Sequence, residues 1–132
     1  MTLHTEPVDV MVYDDQAGCR ELIKRTLQKV YGVKRIETED NILSLRIDLA
    51  INRPKVLILD YVYAGGLNLP YVTPALESFG GLGIIYSAVC RSRVEREIGD
   101  LPPNFFFVEK GNLKMLRKLL DTVLSRGALA PA

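Results

Sequence analysis

Val56-Leu57-Ile58-Leu59-Asp60 is a run of four apolar residues that stops on a carboxylate. A run this short and this uniformly apolar suits a strand covered on both faces, as in a parallel sheet, rather than the alternating strand of a one-sided sheet. Three runs of similar size lie elsewhere: Val8-Asp-Val-Met-Val-Tyr13 upstream, then Leu82-Gly-Ile-Ile-Tyr86 and Phe105-Phe-Phe-Val108 downstream. A weaker fifth, Val33-Lys-Arg-Ile-Glu-Thr38, falls between the first run and Val56.

Helical patterns fill the gaps. Cys19, Leu22, Ile23, Leu27 and Val30 share one stripe at helical spacing, and Gly32 suits the residue just past the helix end. Asp40 or Asn41 can cap a second helix carrying Ile42, Leu45 and Leu49. Pro70 and Pro74 both fall in the third, which predicts a short or kinked helix. The fourth runs from about Cys90 to Ile98 and ends at Gly99. Asn112 can cap the last, with Leu113, Leu116, Leu119, Leu120, Val123 and Leu124 on one side. The alternation predicts an α/β single domain: a five-stranded parallel sheet with helices on both faces, doubly wound in the flavodoxin-like manner. Its span is 8–126, with residues 1–7 and 127–132 as tails.

The 132 residues are 48% hydrophobic and 25% charged, with a net charge of +1. That composition excludes a disordered chain and argues against a dedicated nucleic-acid binder. No apolar run approaches the ~20 residues of a membrane span, and the first ten residues, MTLHTEPVDV, carry no basic-then-apolar leader. A cytoplasmic protein is expected, in which Cys19 and Cys90 are reduced and mostly buried thiols.

In an open parallel sheet, ligands bind beyond the carboxyl ends of the strands. Asp14-Asp15 follow the first strand, Asp60 the third, Ser87-Ala88 the fourth and Lys110 the fifth. Three carboxylates converging on one rim repel one another unless a cation offsets them, and Mg²⁺ suits a site of few oxygen ligands plus phosphate. One carboxylate can then attack phosphorus, while a hydroxyl and an ammonium hold the oxygens of the arriving group.

In these residues, each at its own strand end and in this order, the chain resembles the receiver domain of two-component response regulators. The resemblance runs from Val8 to about Arg126. It implies Asp60 as phosphoacceptor, Asp15 as direct Mg²⁺ ligand, Asp14 acting through a metal-bound water, and the Val62 carbonyl as a further ligand. It implies Ser87 as switch hydroxyl, Lys110 as the fixed cation, Ala88 as the small residue leaving access, and Phe107 as switch aromatic. A sensor histidine kinase or phosphotransfer protein would donate the phosphoryl group. The domain would be no enzyme beyond assisting its own phosphorylation and dephosphorylation. Output would pass to a protein partner or a homodimer, without nucleic acid or membrane, through a surface of Arg91, Arg93, Arg96, Phe107, Lys114 and Arg117. The alternative is a pseudo-receiver that binds partners without phosphorylation. A dehalogenase-like phosphatase would want an acid at Val62, and a flavodoxin-like cofactor binder a better phosphate cradle than Asp14-Asp15-Gln16.

The chain departs from the family pattern at four places. Gly111 stands where a cis proline is usual, Ala64-Gly65-Gly66 replaces a Met-Pro segment, Gly99-Asp-Leu-Pro-Pro103 replaces a Gly-Ala and acidic run, and Glu109 stands at an apolar position. The resemblance implies that Val62 and Val89 stand at the positions that influence the hydrolytic water, which predicts a long-lived aspartyl phosphate.

Overall fold

Each of the five apolar runs forms a strand in the computed structural model, which describes residues 9–14, 16–33, 36–39, 45–60, 62–63, 66–67, 77–99 and 101–124. The strands are β1 (Val10–Tyr13), β2 (Ile36–Glu39), β3 (Val56–Leu59), β6 (Leu82–Ser87) and β7 (Phe105–Glu109). They make one sheet in the order β2-β1-β3-β6-β7, parallel at every pairing. Two further strands were not foreseen. β4 (Val62–Tyr63) and β5 (Gly66–Leu67) form a separate antiparallel pair just after Asp60.

Side chains alternate across the sheet, and each face builds its own core. Met11, Tyr13, Leu57, Leu59 and Ile85 pack on one face with Val94 and Phe105. Val10, Val12, Val56, Ile58, Ile84 and Tyr86 pack on the other with Ile23, Leu27, Leu116 and Leu120. The four helices with defined bounds are divided accordingly. α1 (Ala17–Tyr31) and α4 (Leu113–Leu120) supply the second core, while α2 (Leu45–Asn52) and α3 (Arg91–Ile98) contribute Leu49 and Val94 to the first. Burial on both faces explains why β1, β3 and β6 read as unbroken apolar runs.

The edge strand β7 departs from that expectation. Phe105 and Val108 are buried, but Phe106 is 40% exposed and Phe107 is half-buried. An edge strand is covered incompletely, so its apolar run is not a fully buried one.

The helix ends follow local chemistry. Gly32 takes φ +62 and donates its N–H to the Gln28 carbonyl at 3.1 Å, closing α1 as foreseen. Asn112 caps α4 by accepting the Met115 N–H at 3.1 Å. The third predicted helix falls largely outside the described residues, where only 77–78 are helical. The proposed cap at Asp40 or Asn41, Ile42 and both tails also lie outside the described residues. The cysteines correct the sequence reading: Cys90 is exposed and Cys19 only half-buried, because both sit at the starts of helices rather than within the cores.

Candidate functional site

The chain order of the sheet reverses at β1, which has β2 on one side and β3 on the other. That reversal opens the rim at the C-terminal ends of β1 and β3. Tyr13 and Leu59 are partners in register, and the Asp60 N–H extends the ladder by donating to the Tyr13 carbonyl at 2.9 Å. Asp14 and Asp60 are therefore set side by side by backbone pairing alone. Both are buried, at 2% and 5% exposure.

Lys110 reaches them from the end of β7, two strands from β3. Its main-chain N–H donates to the Ser87 carbonyl at 3.0 Å, which prolongs the β6–β7 ladder. Its ammonium lies 3.0 Å from Asp14 Oδ2 and 2.9 Å from Asp60 Oδ2, and donates to Gln16 Oε1 at 3.1 Å. Burial alone would pull the Lys110 pKa down, but the two carboxylates outweigh it and hold the ammonium above its ordinary value. Asp14 is pushed up by burial, against the opposing pull of the Gln16 N–H and of Lys110. The two shifts are compatible: one cation serves two carboxylates, so the cation gains more than Asp14 recovers.

Asp14 is also built into the loop. Its Oδ1 accepts the Gln16 N–H at 2.8 Å, and its carbonyl accepts from Arg20 Nη1 of α1 at 2.6 Å. Gln16, not an acidic residue, is the cap position of α1. Sequence reasoning missed Gln16 as a Lys110 partner; its place directly after the acidic pair was the available signal.

Ser87 ends β6, fully buried, and its Oγ accepts the Val89 N–H at 3.2 Å. Phe107 packs at the margin of the first core, and Ala88 is exposed. Asp15 lies outside the described residues; Val62 is described only as part of the β4–β5 pair. Among the described residues no group of three or more acidic, histidine or cysteine side chains is placed to hold a metal. What they supply is two carboxylates against one ammonium, a net negative site of hard oxygen donors, which fits Mg²⁺ chemically.

The expected partner surface is divided by the structure. Arg91 pairs with Glu95 at 2.6 Å, and Arg93, Arg96 and Lys114 are exposed. A groove of about 490 Å³ runs between α3, β7 and α4, lined by Arg91, Phe106, Phe107, Met115 and Leu119 among others. Arg117 is not part of it. It faces α1 across a cleft shared with Leu22, Arg25 and Lys29, since it projects from α4 away from Met115 and Leu119.

Solved structures share this architecture. A two-component response regulator from Clostridium difficile aligns with a TM-score of 0.70 at 12% identity, over 87% of this chain and 93% of that one. The signal receiver domain of NarL from Mycobacterium tuberculosis aligns at 0.65 and 22%, over 89% and 96%. The phosphorylated cyanobacterial phytochrome response regulator RcpA aligns at 0.65 and 15%, over 89% and 91%. The chain has the receiver-domain fold. No family model matches its sequence and no curated protein matches it, so the likeness is structural. The receiver fold accounts for the rim: the ends of β1, β3, β6 and β7 carry Asp14, Asp60, Ser87 and Lys110. No described helix is long and apolar enough to cross a membrane.

Proposed function

We propose that the chain is a phosphorylation switch of a two-component system, with Asp60 as the phosphoacceptor. The observation that carries this reading is the Lys110 ammonium bridging Asp14 and Asp60 at 3.0 and 2.9 Å, at the switch point of a receiver fold. Asp14, Asp60 and Asp15, with the Val62 carbonyl, would hold Mg²⁺. When bound, the ion would neutralise the developing charge on phosphoryl oxygens.

The chain's own residues do the rest. The Asp60 carboxylate attacks phosphorus, forming an O–P bond as the N–P bond of a phosphohistidine donor breaks and the imidazole leaves. Lys110, held at the rim by its contacts with three acceptors, meets the negative charge that arrives. Ser87, whose oxygen accepts from Val89 while its proton stays available, would donate to a phosphoryl oxygen. Output would pass through the groove between α3, β7 and α4 to a protein partner or a second copy, in the cytoplasm. The domain would assist only its own phosphorylation and dephosphorylation.

Intact-mass measurement after incubation with Mg²⁺ and acetyl phosphate tests this. The wild-type protein is expected to gain one phosphoryl group and Asp60→Asn none. Equal labelling of both, or of neither, would contradict the proposal, and the latter would favour a binding module that works without phosphate.

A further inference from the structure

Lys110 and Gly111 are both held by the end of β6, by two different kinds of bond. The Lys110 N–H donates to the Ser87 carbonyl at 3.0 Å, and the Gly111 N–H donates to the phenolic oxygen of Tyr86 at 2.9 Å. Tyr86 is 3% exposed, and its ring is packed in the second core with Ile84, Val108 and Leu116. Its hydroxyl is thus a fixed acceptor under the loop that carries Lys110. The loop is a tight turn in which the Asn112 N–H donates to the Glu109 carbonyl at 3.0 Å. Gly111 takes φ +95 there, a value a residue with a side chain adopts only under strain. Proline could supply neither that φ nor the N–H.

We infer that Tyr86 is a positioning residue for Lys110: its hydroxyl, through the Gly111 N–H, sets the turn that aims the ammonium at Asp14 and Asp60. This rests on the phosphoacceptor reading of that site. The physical case is the stiffness of each link. A buried aromatic ring is held by its packing, the hydrogen bond fixes the peptide that begins at the Lys110 carbonyl, and the next strand residue, Ser87, fixes the Lys110 amide. Without the hydroxyl, the Gly111 N–H loses its partner and the turn is free to relax toward water. Displacement of a charged group by a fraction of its contact distance is enough to slow a reaction that depends on alignment.

Tyr86→Phe removes one oxygen and keeps the ring. The variant is expected to take label from acetyl phosphate five- to tenfold more slowly at saturating Mg²⁺, with the half-saturating Mg²⁺ concentration unchanged within twofold. Its thermal midpoint and the NMR resonances of Lys110 Cε in the unlabelled protein are read alongside. The Cε resonances are expected to move. An unchanged labelling rate overturns the inference, as does a fall in Mg²⁺ affinity that accompanies a slower rate, since general loosening of the rim would move both. If the wild type takes no label, the phosphoacceptor reading fails and the resonances decide alone: unmoved Lys110 signals in Tyr86→Phe would overturn the positioning role.

Discussion

Lys110 has the role at the residue scale that most depends on balance, because one ammonium offsets two buried carboxylates. The pKa directions give its effect on stability a sign. Its raised value means a contribution that is present at every pH below 10.5, the ordinary lysine value, and lost as the pH climbs through the raised one. Asp14 acts oppositely. Its carboxyl is held above 3.8, so its ionisation costs stability, a cost that sets in as the pH rises past 3.8 and is complete above the raised value. In metal-free buffer Lys110→Met is expected to lose about 2 kcal/mol at neutral pH, less than for a fully buried pair because some water reaches the ammonium. Urea unfolding across pH checks this: the gap to wild type should narrow at alkaline pH above 10.5, and again in acid as Asp14 protonates. A gap independent of pH would show that the ammonium is not paired as described.

A second residue-scale expectation concerns the lifetime of the phosphoryl group. Under the proposed function the side chains flanking the phosphoryl group would be Val62 and Val89; neither can hydrogen-bond a water, so the hydrolytic nucleophile would lack a side chain to orient it. A group acting there as a general base would contribute on the order of 10²–10⁴-fold. The decay of label after removal of the donor is therefore expected to be slow, and faster in a Val62→Asn, Val89→Glu double variant. A double variant that decays no faster than wild type would refute the assignment.

At the scale of elements, β6 and β7 hold together both the sheet edge and the site. Gly83 pairs with Phe105 in register, and a Cβ at Gly83 would overlap the Phe105 ring. That ring also meets Phe79 edge-on with centroids 6.0 Å apart, so it has little room to yield. Gly83→Ala is expected to cost about 1–3 kcal/mol by overpacking, read as a lower urea midpoint with an unchanged slope. A midpoint equal to wild type would mean that the ring moves aside freely.

The sequence made these elements legible to differing degrees, for physical reasons. β3 was readable to the residue because burial on both faces leaves an uninterrupted aliphatic run. The Gly32 and Asn112 ends of α1 and α4 were readable because their geometry selects residue type. The β4–β5 pair was not, since two-residue strands carry too little pattern, although Gly65-Gly66 between apolar residues was a turn signal. Asp14, Asp60, Ser87 and Lys110 were legible as strand-end residues of a parallel sheet. Gln16 and the bond from Gly111 to Tyr86 were not, because each depends on contacts between segments distant in sequence. A phenol in an otherwise aliphatic buried strand was nevertheless a hint, since a buried tyrosine hydroxyl needs a partner. That Arg117 borders the cleft with α1 and not the groove with Met115 and Leu119 was not legible, because charge periodicity marks a polar stripe without saying which neighbour borders it.

At the scale of the whole molecule, the sheet order brings residues from both halves of the chain to one rim, so a ligand there should stabilise the fold globally. Mg²⁺ at 100 times its dissociation constant is expected to add about 2.7 kcal/mol, an effect that Asp60→Asn should reduce. The proposed switch depends above all on phosphoryl transfer from a donor to Asp60 at this rim. The most direct measurement is to label the protein with acetyl phosphate and Mg²⁺, reduce it with borohydride, which turns an aspartyl phosphate into homoserine, and map the peptides by mass spectrometry. Reduction is expected at Asp60 and at no other carboxylate, only in the presence of Mg²⁺. Reduction at Asp14 or Asp15 instead, or an unmodified Asp60 in protein that has demonstrably bound Mg²⁺, would contradict it.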